Sequence, residues 1–195
     1  MKLTCNNITV DFSGLRALNK VSLSVETKEI LGLIGPNGSG KTTLLNVLGG
    51  QLKSNEGSVK KDNLDITTMP PRLRVKNGLA RSFQIVRTFE SLSVFDNVKS
   101  ASLTTSKSNV EKNNYCNEII SYIGLNKIKN ELANTLNYGD RRRLEIARAM
   151  ATSPDFLLLD EPAAGMNDNE SEILLNTLNV IPKKFNGPAN VIKPF

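Results

Sequence analysis

The chain contains no histidine at all. Any step that needs an imidazole, as a base or as a metal ligand, has no residue here to perform it. Cysteine is nearly as scarce. Cys5 and Cys116 are too few for a disulfide framework or a zinc set, which fits a reducing cytosol. No apolar run approaches the roughly 20 residues of a membrane-spanning helix. The opening Met1-Lys2-Leu3-Thr4-Cys5 lacks a signal-peptide stretch, and Cys5 is a poor site for a lipid. Internal repeats and low-complexity tracts are also lacking. What is present suits a buried core: 195 residues, 39% hydrophobic, enough for one domain or one domain with two lobes. The formal charge is +6, but the positive residues are scattered apart from Arg141-Arg142-Arg143. No nucleic-acid motif accompanies them, so solvated surface lysines explain the balance and no nucleic-acid partner is expected.

Against that background one segment stands out. Gly35-Pro36-Asn37-Gly38-Ser39-Gly40-Lys41-Thr42 satisfies G-x-x-x-x-G-K-[ST], the loop that wraps backbone N–H groups around nucleotide phosphates. Its flanks fit. Ile30-Leu31-Gly32-Leu33-Ile34 has the length and composition of a strand, and Thr43-Leu44-Leu45-Asn46-Val47-Leu48 reads as a helix ending at Gly49-Gly50. Glycines let the backbone approach the phosphates. The helix start adds unpaired N–H groups and the positive end of a dipole. Lys41 supplies a charge for the β- and γ-phosphates, and the Thr42 hydroxyl can ligate Mg²⁺. A nucleoside triphosphate is the expected ligand.

Phe156-Leu157-Leu158-Leu159 is continuously apolar, as in a parallel strand covered on both faces. Asp160 and Glu161 follow at its carboxyl end, where open α/β sheets bind ligands. Joined to the phosphate loop, Asp160 is read as the Mg²⁺ carboxylate and Glu161 as a general base for the attacking water. A second helix start comes after Leu136-Asn137-Tyr138-Gly139-Asp140 and is an anion site in principle. Three arginines in its first turn oppose the helix dipole, so either anions offset them or the side chains splay into solvent. In outline, residues 1–89 read as β-rich around the loop. Residues 92–150 read as mainly helical, clearest at 110–123 and 144–151. A buried strand and a tail of uncertain structure follow.

In this order the elements resemble ATP-binding cassette ATPases, the engines of ABC transporters. The resemblance makes residues 35–42 a Walker A loop, with Thr43 beside it at the nucleotide, and Gln84 in Ser82-Phe83-Gln84 the Q-loop residue. Residues 136–140 look like the LSGGQ signature, with Asn137 in place of its serine and Gly139 and Asp140 beside it. Residues 156–162 look like Walker B with the catalytic glutamate, and Ala164-Gly165-Met166-Asn167 like the D-loop. Phe12 stands where the family places an aromatic residue against adenine. Phe12-Ser13-Gly14-Leu15-Arg16-Ala17-Leu18, Gly78-Leu79-Ala80-Arg81-Ser82-Phe83-Gln84 and the Tyr-Gly-Asp signature are most similar to branched-chain amino acid importer subunits; urea-type importers look similar.

That resemblance implies an α/β fold: a P-loop ABC ATPase core with an N-terminal antiparallel β subdomain, a helical signature subdomain at about 92–150, and incomplete C-terminal strands. Residues 1–168 would form the cassette and 169–195 an atypical tail. It further implies ATP and Mg²⁺, the metal held by Thr42, Gln84 and Asp160. Glu161, Gln84 and Lys41 would serve catalysis. The partners implied are transmembrane permease subunits and a second cassette, identical or related, closing head-to-tail at the inner face of the cell membrane. The pattern departs in one respect. The family places a histidine beyond the D-loop at the end of another buried strand, and this chain has none. A short helical pattern at 173–181 is expected to break at Pro182, and Val191-Ile192 is too short to predict a central strand. A truncated or frame-shifted tail is the expectation. The alternative is a reduced cassette that retains nucleotide binding with little or no hydrolysis.

Overall fold

The structure, a computed structural model, describes residues 1–82, 88–185 and 190–194. The chain opens with a long hairpin, β1 (Lys2–Phe12) and β2 (Leu15–Glu26), turning at Ser13-Gly14 with φ of 40° and 95°. Next come the short strand β3 (Ile30–Leu33) and helix α1 (Lys41–Gly49), as the flanks of the loop predict. The strands β4 (Glu56–Lys61) and β5 (Leu64–Asp65) extend the hairpin into an antiparallel sheet of order β2-β1-β4-β5. That is the expected N-terminal antiparallel layer. Helix α2 (Pro71–Lys76) then leads to β6 (Leu79–Arg81).

The middle of the chain is helical: α3 (Val94–Ser102), α4 (Asn109–Tyr122), two short 3₁₀ turns, and α5 (Tyr138–Ala151). Ser93 and Ser108 cap α3 and α4, with a full capping box through Glu111 at the latter. The chain returns through β7 (Phe156–Leu158), α6 (Asp168–Lys184) and β8 (Asn190–Pro194). A second sheet, all parallel, has the order β3-β8-β7-β6.

Strand β7 is the wall between two cores. Phe156 and Leu158 face the cluster built by Leu45 and Leu48 of α1 and Ile8 and Val59 of the antiparallel sheet. Leu157 and Leu159 face the helical cluster of Ile119, Leu144, Ile146 and Leu178. Side chains alternate along a strand, so a strand buried on both sides reads as continuously apolar. Full burial of each such side chain contributes roughly 1.5–3 kcal/mol.

Two expectations for the C-terminal region are corrected. Helix α6 does not break at Pro182 but continues to Lys184. Proline removes one N–H and crowds the preceding turn, yet Leu174, Leu178, Ile181 and Phe185 are all buried in the helical core. Tyr122 adds a hydrogen bond to the Thr177 carbonyl at 2.7 Å and an edge contact with Phe185 at 5.1 Å. Val191-Ile192 does belong to a central strand, since β8 pairs with β3 on one side and β7 on the other. Pairing on both sides compensates for short length.

Candidate functional site

Residues 35–40 link the end of β3 to α1, and their geometry is set by glycine. Gly40 has φ 90°, and a Cβ there would lie 2.7 Å from the Ala17 carbonyl oxygen and from Leu18. Gly38, at φ 83°, occupies the same left-handed region. Helix α1 therefore starts with no side-chain cap and no acidic residue in its first turn. Its first N–H groups are left for a ligand. The other end of α1 is clamped. Buried Arg74 donates to the Val47 and Leu48 carbonyls at 2.7 and 2.6 Å, and burial pulls its pKa down to about 10.

Above the loop lies a cleft of 320 Å³. Asn37, Gly38, Ser39, Gly40, Lys41, Thr42 and Thr43 form one side; Phe12, Leu15, Arg16 and Ala17 of the hairpin form another, and Glu161 completes it. Phe12 is 46% exposed, an aromatic face open to the cleft. Lys41 Nζ donates to the carbonyls of Gly35 and Pro36 at 2.6 and 2.9 Å, so the ammonium lies within the loop.

The carboxylates arrive by strand parity. Asp160 follows Phe156 and Leu158 with a spacing of two, which turns it toward α1. It is fully buried, and Thr42 Oγ1 donates to its Oδ1 at 3.3 Å. Glu161 has φ 45°, an uncommon conformation for a side chain of this size. Its turn is held by Arg142 of α5, whose guanidinium donates to the carbonyls of Asp160, Glu161 and Pro162 at 2.6, 2.9 and 3.2 Å. Glu145 accepts from the same guanidinium at 2.7 Å. Arg81, ending β6, donates to Asp160 Oδ2 at 3.0 Å. Burial lowers the Arg81 pKa, and its pairing with Asp160 opposes that shift.

Sequence reasoning missed Arg81 and Arg142. Arg81 had a signal: a charge closing a strand at the same sheet edge as Asp160. The arginine triplet offered two fates, anions or solvent, and none of the three side chains splays into solvent. Arg143 pairs with Asp140 at 3.3 Å, while Arg141 reaches the carbonyls of Leu136 and Asn134 at 3.0 and 2.7 Å. Arg142 is buried.

The signature-like residues lie apart. Asn137, Gly139 and Asp140 are not among the residues lining the loop cleft. Asn137 is the N-cap of α5, its Oδ1 accepting from the Asp140 N–H at 2.8 Å. Gly139 lies against Glu170, and Tyr138 lies against Gly165 of the 164–167 turn. Gln84 falls outside the described residues.

The donors present suit Mg²⁺. This ion takes oxygen ligands, one or two from protein and the rest from phosphates and water. A hydroxyl and a carboxylate 3.3 Å apart beside the cleft match that demand. No cluster of three or more metal-ligating side chains occurs among the described residues, so phosphates would have to complete the shell.

A glycine loop feeding a helix, with a hydroxyl and two carboxylates beside it on a parallel sheet, defines a P-loop nucleotide-binding protein. A family model described as ABC transporter matches residues 18–164, and the chain belongs to that family as one of its ATP-binding cassettes. It is 37% identical over 187 residues to the high-affinity branched-chain amino acid transport ATP-binding protein BraF of Pseudomonas aeruginosa, covering 88% of this chain and 73% of that protein. The lipopolysaccharide export system ATP-binding protein LptB of Escherichia coli is 36% identical over 166 residues, 85% and 69% of the two chains. Among solved structures, the ADP conformation of the ABC transporter cassette MJ1267 superimposes with a TM-score of 0.86 at 30% identity. That match spans 100% of this chain and 81% of the other. A dimeric post-hydrolysis cassette, MJ0796 with ADP and Pi, gives 0.83 at 25% identity, over 98% and 87%.

Proposed function

We propose that this chain binds and hydrolyses ATP with Mg²⁺ and powers a transporter that imports branched-chain amino acids or similar small polar solutes. The observation that carries the reading is the convergence of Lys41, Thr42 and Glu161 on one cleft, with buried Asp160 behind Thr42 at 3.3 Å. The solute class rests on likeness to BraF, whereas the ATP-binding role is common to BraF and LptB.

Phosphates entering the loop take the α1 N–H groups and draw the Lys41 ammonium off the Gly35 and Pro36 carbonyls. Thr42 and Asp160, with Gln84, would hold Mg²⁺, which when bound would supply positive charge to the phosphates. Glu161 accepts a proton from the attacking water, and Arg142 fixes the turn that aims it. Phe12 offers its ring to adenine.

Asn137, Gly139 and Asp140 serve a second cassette, identical or related, closed head-to-tail so that each signature faces the other copy's loop. One similar cassette, MJ0796, was solved as a dimer in two structures. No helix among the described residues is long and apolar enough to cross a membrane. Permease subunits therefore provide the pore, with this chain bound at the inner face. Closure and reopening pass to them through the region from Gln84 to Phe95. We assign residues 1–168 to the cassette, with 92–150 as its helical part, and 169–195 to an atypical tail whose helix and strand pack into that cassette.

The decisive experiment compares the chain with Glu161→Gln at saturating Mg-ATP. General-base catalysis contributes roughly 10²–10⁴-fold, so turnover should fall at least about 100-fold while ATP affinity stays within about twofold. Equal turnover in the two proteins would remove Glu161 from the role of base, and none in either would replace this reading with a nucleotide-binding module that does not hydrolyse.

A further inference from the structure

We propose that Arg81 is the resident counter-cation of Asp160 and makes metal entry into this site depend on bound nucleotide. The inference rests on the reading that Thr42 and Asp160 hold Mg²⁺. Arg81 ends β6, paired in register with Leu158, two residues before Asp160. Its Nη2 donates to Asp160 Oδ2 at 3.0 Å, with side-chain exposures of only 7% and 1% for the pair. Its Nη1 is held by Asn46 Oδ1 at 2.6 Å and Gln51 Oε1 at 3.0 Å. The arginine is thus fixed from α1 as well as from the carboxylate.

A carboxylate this deeply buried requires a partner, and removing the partner leaves an uncompensated charge. Arg81 meets that need on one oxygen and leaves Oδ1 directed at the Thr42 hydroxyl, where a metal would lie. The charges around the site then cancel. Lys41 and Arg81 are positive, while Asp160 and Glu161 are negative, and Arg16 of the same cleft is paired with Asp11. A bare divalent cation meets no net negative charge there, and Arg81 repels it through the carboxylate. Nucleotide phosphates supply the missing negative charge. Metal and nucleotide are therefore bound together, and the free protein stays metal-free without losing the geometry of Asp160.

The test measures ADP affinity by calorimetry at pH 8, once with excess EDTA and once with Mg²⁺. The proteins are the full chain, Arg81→Gln, Arg81→Lys and Gln51→Glu. The ratio of the two affinities is the metal's gain. Removing one positive charge beside the metal should raise that gain about tenfold in Arg81→Gln. Arg81→Lys keeps the charge and should keep the original gain. Gln51→Glu, at an exposed position, offers the guanidinium a competing carboxylate. It should raise the gain in the same direction, about threefold, even if Arg81→Gln fails to fold. Metal-free ADP affinity should fall in Arg81→Gln, because the lost positive charge leaves Asp160 to repel phosphate, and the ratio of the two affinities separates this from the metal's gain. A gain that is unchanged or smaller in both Arg81→Gln and Gln51→Glu, while the parent responds to Mg²⁺, overturns the role of Arg81 alone. No response to Mg²⁺ in any of the proteins overturns the metal site and this inference with it.

Discussion

Helices α1 and α5 both present an N-terminus where a phosphate is expected, and they are built in opposite ways. Helix α1 begins at Gly40 with no side-chain cap and no acid in its first turn. Helix α5 begins at Asn137, whose amide both accepts from the Asp140 N–H at 2.8 Å and donates to the Asp140 carboxylate at 2.9 Å. Arg143 closes the arrangement on Asp140. A glycine start gives up a few tenths of a kcal/mol relative to a capped one and leaves the first N–H groups without acceptors. That sacrifice is reasonable only where a ligand supplies the missing acceptors. Helix α1 recovers part of it at the far end, where Arg74 binds the last carbonyls. Helix α5 satisfies itself, as a helix must when its anion would come from another molecule. On the proposed function, one N-terminus is a site within this chain, and the other is half of a site shared with a second.

The largest test of that contrast is Lys41→Ala. Hydrogen bonds to charged groups are worth about 1.5–3 kcal/mol each, so losing the phosphate contacts of one ammonium should weaken ATP binding by roughly 100-fold or more. Equilibrium dialysis with labelled ATP measures this directly. Retained affinity would mean that α1 is open for some other reason.

A sharper test gives α1 what α5 already has. Thr43 is the third residue of α1 and lines the cleft. Thr43→Asp places an acid in the first turn, where the helix dipole favours it by about 0.3–1 kcal/mol. Without nucleotide the melting temperature should rise. With nucleotide the added charge should repel phosphate and reduce affinity about tenfold. Opposite shifts in stability and affinity are the expected signature. A parallel loss of both would indicate simple damage to the loop.

How readily these features appear in sequence depends on how local they are. The loop, α1 and the strand before it follow from adjacent residues, as does the position of Asp160 once β7 is recognised as buried on both faces. Arg81 and Arg142 are different. Their roles depend on which distant carbonyl or carboxylate lies opposite them, and neighbouring residues carry no record of that. The C-terminal segment shows the same limit. Pro182 and the brevity of residues 190–194 argue locally against a helix and a strand, but tertiary packing and pairing on both sides override them. The signature-like residues were legible only through resemblance, since an Asn N-cap followed by Asp140 is what any well-formed helix start looks like.

That ambiguity gives the smallest and most discriminating effect. Asn137→Ala removes the cap of α5 and should cost about 1 kcal/mol in thermal or urea unfolding. For a monomer the ATP affinity should remain unchanged, because Asn137 does not line the cleft. Any loss should appear only where two copies associate, read as weaker ATP-dependent dimerisation in light scattering. A drop in monomer affinity would place α5 at its own chain's nucleotide and erase the distinction between the two helices. An equal loss of stability with undisturbed dimerisation would reduce Asn137 to a helix cap alone.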